Sequence, residues 1–172
     1  MPSYSTWAAL TPEEAHAIFL CVQETQKKLY RSAIDTFSKP LGLRPNLLLE
    51  MPKTERHAAF GRILAHPQME EVGFNFLCHW LVEGNAPLLV AWLDALGIAH
   101  DGKGMVEDFP PEPSTEALKK AADAVLAQFE PRLVAIYLRT FNDIDGVQWD
   151  GLEKLVETDP RLKLEAPTPA AG

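Results

Sequence analysis

The stretch 68–96 constrains this chain most. Residues 68–83 carry Met69, Val72, Phe74, Phe76, Leu77, Cys78, Trp80, Leu81 and Val82. Residues 86–96 carry Leu88, Leu89, Val90, Trp92, Leu93 and Leu96, with Asp94 the charge among them. At 100° per residue these side chains cover most of each helix's circumference, and a helix apolar nearly all round needs neighbours on every side. Gly84 suits the end of the first helix and Asn85 the cap of the second. The segment predicts a central apolar helical hairpin, enclosed by further helices.

The rest of the chain supplies them. Thr11 is an N-cap, Pro12 stands where its missing N–H costs nothing, and Glu13 and Glu14 face the positive end of the dipole. Ala15, Ile18, Phe19, Val22, Leu29, Ala33 and Phe37 then recur at helical spacing until Pro40 and Gly42. This predicts one helix of ~40 Å at 1.5 Å per residue, whose middle comes to the surface at Thr25 and Gln26. Two shorter helices follow, one on Leu47, Leu48 and Leu49, the next opening at Pro52 and burying Ala59, Phe60, Ile63 and Leu64. His66-Pro67 stops it, because the residue before proline avoids the α region.

Residues 97–113 form one long irregular loop, with turn pairs Asp101-Gly102 and Lys103-Gly104 and helix-forbidding Pro110, Pro111 and Pro113. Met105, Val106 and Phe109 are expected to dock it on the helices. Ser114 or Thr115 caps an amphipathic helix with Leu118, Ala121, Ala122, Val125, Leu126 and Phe129 on one face. Pro131 opens another, and a last helix runs over 149–157. No β-branched alternation is long enough for a sheet. The expectation is an all-α, single-domain bundle of about seven helices over 1–164, followed by a Pro/Ala-rich flexible tail at 165–172.

The formal charge is −8 and is unevenly placed. Residues 1–66 carry eight Lys/Arg against six Asp/Glu, and 67–172 carry eight against eighteen. Such a chain argues against nucleic acid and anionic membrane surfaces as partners, because both require clustered cations. Lys27, Lys28 and Arg31 share one turn, which by itself marks a solvated face. Cys21 and Cys78 sit in apolar stretches and are expected to be buried free thiols. The first residues lack the basic-then-apolar order of a signal peptide, and no apolar run approaches the ~20 residues that span a bilayer. The expected location is cytoplasmic.

Two constellations are candidates for chemistry. Glu71, Asn75, His79 and Glu83 follow at i+4 and form a polar row on the most apolar helix, drifting ~40° per step. Neighbours at this spacing touch, so His79 can bond Asn75 or Glu83 and serve as an acid, a base or a ligand. The same row is also what the solvent edge of a central helix looks like. No further His or Cys completes a metal shell, so no metal is expected. The second candidate is His100 with Asp101, in a loop where Gly102 and Gly104 permit close backbone approach.

Other signatures fail. Glu13 and His16 give a single Glu-x-x-His, where di-iron bundles use two. A calcium loop from Asp101 would place Lys103 and Met105 at ligand positions, and one from Asp143 would use Val147 and Lys154. Nothing marks His57, His66 or His100 as a haem ligand. There is no Gly-x-Ser-x-Gly and no phosphate-cradling glycine loop, and Cys78 and His79 point 100° apart. The sequence assigns no cofactor. Its leading functional expectation is protein–protein contact, including a homodimer through the long first helix, with acidic and basic ends complementing each other. The alternative is a small-molecule- or metal-binding protein or enzyme, its pocket beside Asn75, His79 and Glu83 and covered by the 100–109 loop.

Overall fold

A computed structural model describes residues 2–165; the expected tail lies, save Glu165, outside them. The described chain is all-α, with no strand, and comprises ten α-helices rather than about seven. They are α1 (Ser3–Ala9), α2 (Pro12–Thr25), α3 (Lys27–Leu41), α4 (Pro45–Glu50), α5 (Lys53–Leu64), α6 (Glu70–Gly84), α7 (Ala86–Leu96), α8 (Thr115–Leu126), α9 (Pro131–Asn142) and α10 (Asp150–Thr158). Single 3-10 turns precede α6 (Pro67–Met69) and follow α10 (Pro160–Leu162).

One source of the higher count is the expected long first helix, which is two helices. Gln26, at φ −135° and ψ 66°, breaks it where the apolar stripe pauses. Thr11 and Glu14 form a full capping box at the start of α2, and Gly42 ends α3 in the left-handed conformation at φ 64°. The other source is α1, which has no cap of its own in the local sequence. Its first N–H groups, on Ser3 and Tyr4, donate to the Glu70 carboxylate at 2.6 and 3.2 Å, so a side chain 66 residues away supplies the N-terminal acceptor. Trp7 Nε1 donates to the Gly73 carbonyl at 3.0 Å, and a Cβ on Gly73 would lie 2.9 Å from the indole. Only glycine leaves room for that ring.

The expected hairpin is also corrected. The chain turns by 89° between Pro67–Gly84 and α7. A single residue, Asn85, links the two helices, too short a connection to fold one back along the other. The neighbour of α7 is α8 instead. No single helix among the described residues is long and apolar enough to cross a membrane.

Contacts group the chain into two compact units, Ser3–Trp80 and Leu81–Leu164. In the first, α2 packs on α5 and α3, α1 packs on α5, and α4 lies against α3. Phe19, fully buried, is its centre, with ring centroids of Trp7, His57, Phe60 and Phe76 between 5.1 and 5.6 Å away. In the second, α7 packs on α8, and α8 and α9 pack on α10. Phe141 collects Trp92, Phe109 and Trp149 at 5.5–6.0 Å. Phe109 thus docks the long loop as expected. Met105 does not: it is 55% exposed. Cys21 and Cys78 are free thiols, half-buried rather than buried.

Candidate functional site

Of the polar row on α6, Glu71, Asn75 and Glu83 are exposed and His79 is half-buried. His79 reaches across to α2 rather than along its own helix, with Nε2 2.7 Å from Thr25 Oγ1. The Thr25 hydroxyl donates to the Cys21 carbonyl at 2.7 Å, so its oxygen is the acceptor and His79 Nε2 carries the hydrogen. The imidazole braces the end of α2 beside the break at Gln26. Among the described residues, no three His, Cys, Asp or Glu side chains converge as a metal site.

His100 and Asp101 organise their own loop. The Gly102 N–H donates to His100 Nδ1 at 3.0 Å, which leaves the Nε2 hydrogen for Asp94 Oδ1 at 3.0 Å. Asp101 Oδ1 accepts the N–H groups of Lys103 and Met105 at 2.7 and 3.1 Å, and its own N–H donates to the Met105 carbonyl at 3.1 Å. Those two backbone donors hold its carboxyl below the usual carboxylate range. The loop borders an open hollow of about 680 Å³, lined in part by His100, Asp101, Met105, Glu107 and Asp108.

A second site, in the first unit, escaped the sequence reading. A groove of about 570 Å³ runs between α3 and α4, lined by Gln23, Lys27, Tyr30, Arg31, Ile34, Asp35, Asn46 and Leu49 among others. Behind its wall lies a buried polar chain. Arg56 is 3% exposed; its Nε donates to Tyr30 Oη at 3.1 Å and its Nη1 to the carbonyls of Leu48 and Leu49 at 3.1 and 2.9 Å. A guanidinium thereby holds the carbonyl end of α4 and completes it electrostatically.

Tyr30 Oη lies 2.8 Å from His57 Nε2, and His57 Nδ1 lies 2.9 Å from His16 Nδ1. With Arg56 donating to the phenol oxygen, the phenol hydrogen goes to His57 Nε2 and the His57 Nδ1 hydrogen to His16. That tautomer satisfies every member. Burial, aided by the nearby Arg56 and Lys53 cations and by coupling to His16, lowers the His57 pKa to about 3, so the ring is neutral near pH 7. Burial also raises the Tyr30 pKa against the pull of Arg56. The sequence held a signal for this chain: Arg56 and His57 fall on the same stripe as Phe60 and Leu64, where a cation needs buried acceptors.

The surface over this network is apolar and basic. Leu48 is fully buried, whereas Leu47 and Leu49 are 47% and 53% exposed and Leu43 is 37% exposed. Successive residues of a helix diverge by 100°, so a short helix burying the middle of three leucines must leave its flanks outside. With Arg56 buried behind them, residues 27–55 carry six Lys/Arg (27, 28, 31, 39, 44, 53) against three Asp/Glu (35, 50, 55), a net of +3. Gln23 Oε1, in the groove wall, is buried without a hydrogen-bond partner. By these features the chain is an all-helical protein with a basic, leucine-bearing face. No family model, curated protein or solved structure matches it.

Proposed function

We propose that this protein works by protein–protein contact, and that the α3–α4 face is its docking surface for an acidic segment carrying apolar anchors. The clustering of three of the four large apolar side chains exposed among the described residues within 43–49 carries the reading. Exposed apolar side chains gathered in one place mark interaction surfaces, whereas scattered ones are ordinary. The net charge of the surrounding segment selects an acidic partner and speeds its encounter. The groove beside Leu49 receives an anchor. Arg56 sets the face from behind by fixing both α4 carbonyls. The proposed surface differs from the expected docking through one long first helix, a stretch that forms the two helices α2 and α3. Two cysteines without a disulfide suit a reducing, cytoplasmic setting.

Fluorescence anisotropy tests it, with a short labelled peptide alternating Glu with Leu and a control in which Lys replaces Glu. The acidic peptide binds, the basic one does not, and the L47D/L49D variant weakens binding roughly tenfold or more with an unchanged circular dichroism spectrum. Equal binding of both peptides, or none of either, rejects the proposal.

A further inference from the structure

The proposed docking reading, on which this rests, calls for an acidic segment with an exposed apolar anchor, and the chain carries one. The fourth large apolar side chain exposed among the described residues is Met105, in the long loop of the second unit. Residues 100–112 hold four carboxylates (Asp101, Glu107, Asp108, Glu112) against Lys103, a net of −3.

This segment is built to hold its methionine out. Asp101 and Met105 close a knuckle through reciprocal backbone and side-chain bonds of 3.1 Å. Gly102 and Gly104 turn it at φ +82° and +92°, and a Cβ at 104 would stand 2.5 Å from Leu89 Cβ, so the knuckle lies directly on α7. Its base is tied to Asp94 through His100, and the loop's far end is tied to α10 by Glu112, which accepts the Gly151 N–H. A loop already ordered loses little conformational freedom on binding, and a thioether adapts to an irregular apolar surface.

We infer that the occupant of the α3–α4 face is a second copy of this chain. Met105 of one copy seats against Leu47 and Leu49 of the next, while Glu107 and Asp108 meet Lys27 and Arg31. The two faces differ, so the contact is head-to-tail. Each added copy leaves one face of each kind open until a ring closes.

Sedimentation velocity over a concentration series at low salt tests this with wild type, L47D/L49D and M105D, each checked for an unchanged melting temperature. Wild type sediments faster as concentration rises, and each variant alone stays monomeric. Their equimolar mixture forms a dimer and nothing larger, because each partner contributes its one intact face. A second pair, K27Q/R31Q and E107Q/D108N, repeats the result without altering an apolar residue. Association of M105D equal to wild type, or a mixture that stays monomeric, overturns the inference. A wild type that stays monomeric yet binds the acidic peptide overturns only the second-copy occupant. Monomeric wild type with no peptide binding overturns the docking reading too.

Discussion

His57 shows how one residue couples packing to pH. It is fully buried between Tyr30 and His16, and its pKa of about 3 lies below the 6.5 of an unfolded histidine. Between those values the unfolded chain binds a proton that the folded chain does not. The stability this neutral ring contributes is therefore complete above pH 6.5 and is lost as pH falls toward 3, by up to about 1.4 kcal/mol per pH unit. Urea midpoints measured between pH 7 and 5 are expected to fall with pH. His57→Gln keeps a donor and an acceptor but removes the titration, so its midpoints fall less steeply. An unchanged slope would assign the pH dependence to other groups. Residue identity in the sequence exposed His57 as a histidine; its neighbours Tyr30 and His16, 27 and 41 positions away, were not legible there.

At the scale of elements, local chemistry decided most helices. Caps and prolines at Thr11-Pro12, Ser114 and Pro131 start α2, α8 and α9 where the sequence places them. α1 is different, since its N-terminal acceptor is Glu70 and its anchor is the Gly73 carbonyl. Glu70→Ala removes that acceptor and is expected to cost about 1 kcal/mol, the usual worth of an N-terminal cap. Hydrogen exchange would show faster exchange of the α1 amides with α8–α10 unchanged. Equal protection in the variant would mean that Trp7 alone secures the helix. The polar row on α6 was legible as a row, but i+4 spacing says only who is near on one helix. That His79 bonds Thr25 on α2 depends on which helices pack together.

For the whole molecule, charge asymmetry gives the proposed contact a salt signature. A basic face of net +3 meeting an acidic segment is screened once the ionic strength shortens the Debye length to about 3 Å, near 1 M. Peptide affinity is expected to fall steadily across a sodium chloride series and then level off, because the leucine contribution persists. An affinity indifferent to salt would remove the electrostatic part of the reading.

By itself, the sequence determined the helical class, most helix starts, the irregular loop and the imbalance of charge. Each of these follows from periodicity, capping and composition, which act over a few residues. Only the tertiary structure decided that α1 exists, that α7 packs on α8, that Arg56 holds α4, and that Leu47 and Leu49 stay outside while Leu48 goes in. Those outcomes depend on which distant groups meet, and a one-dimensional pattern of polar and apolar residues carries no record of that.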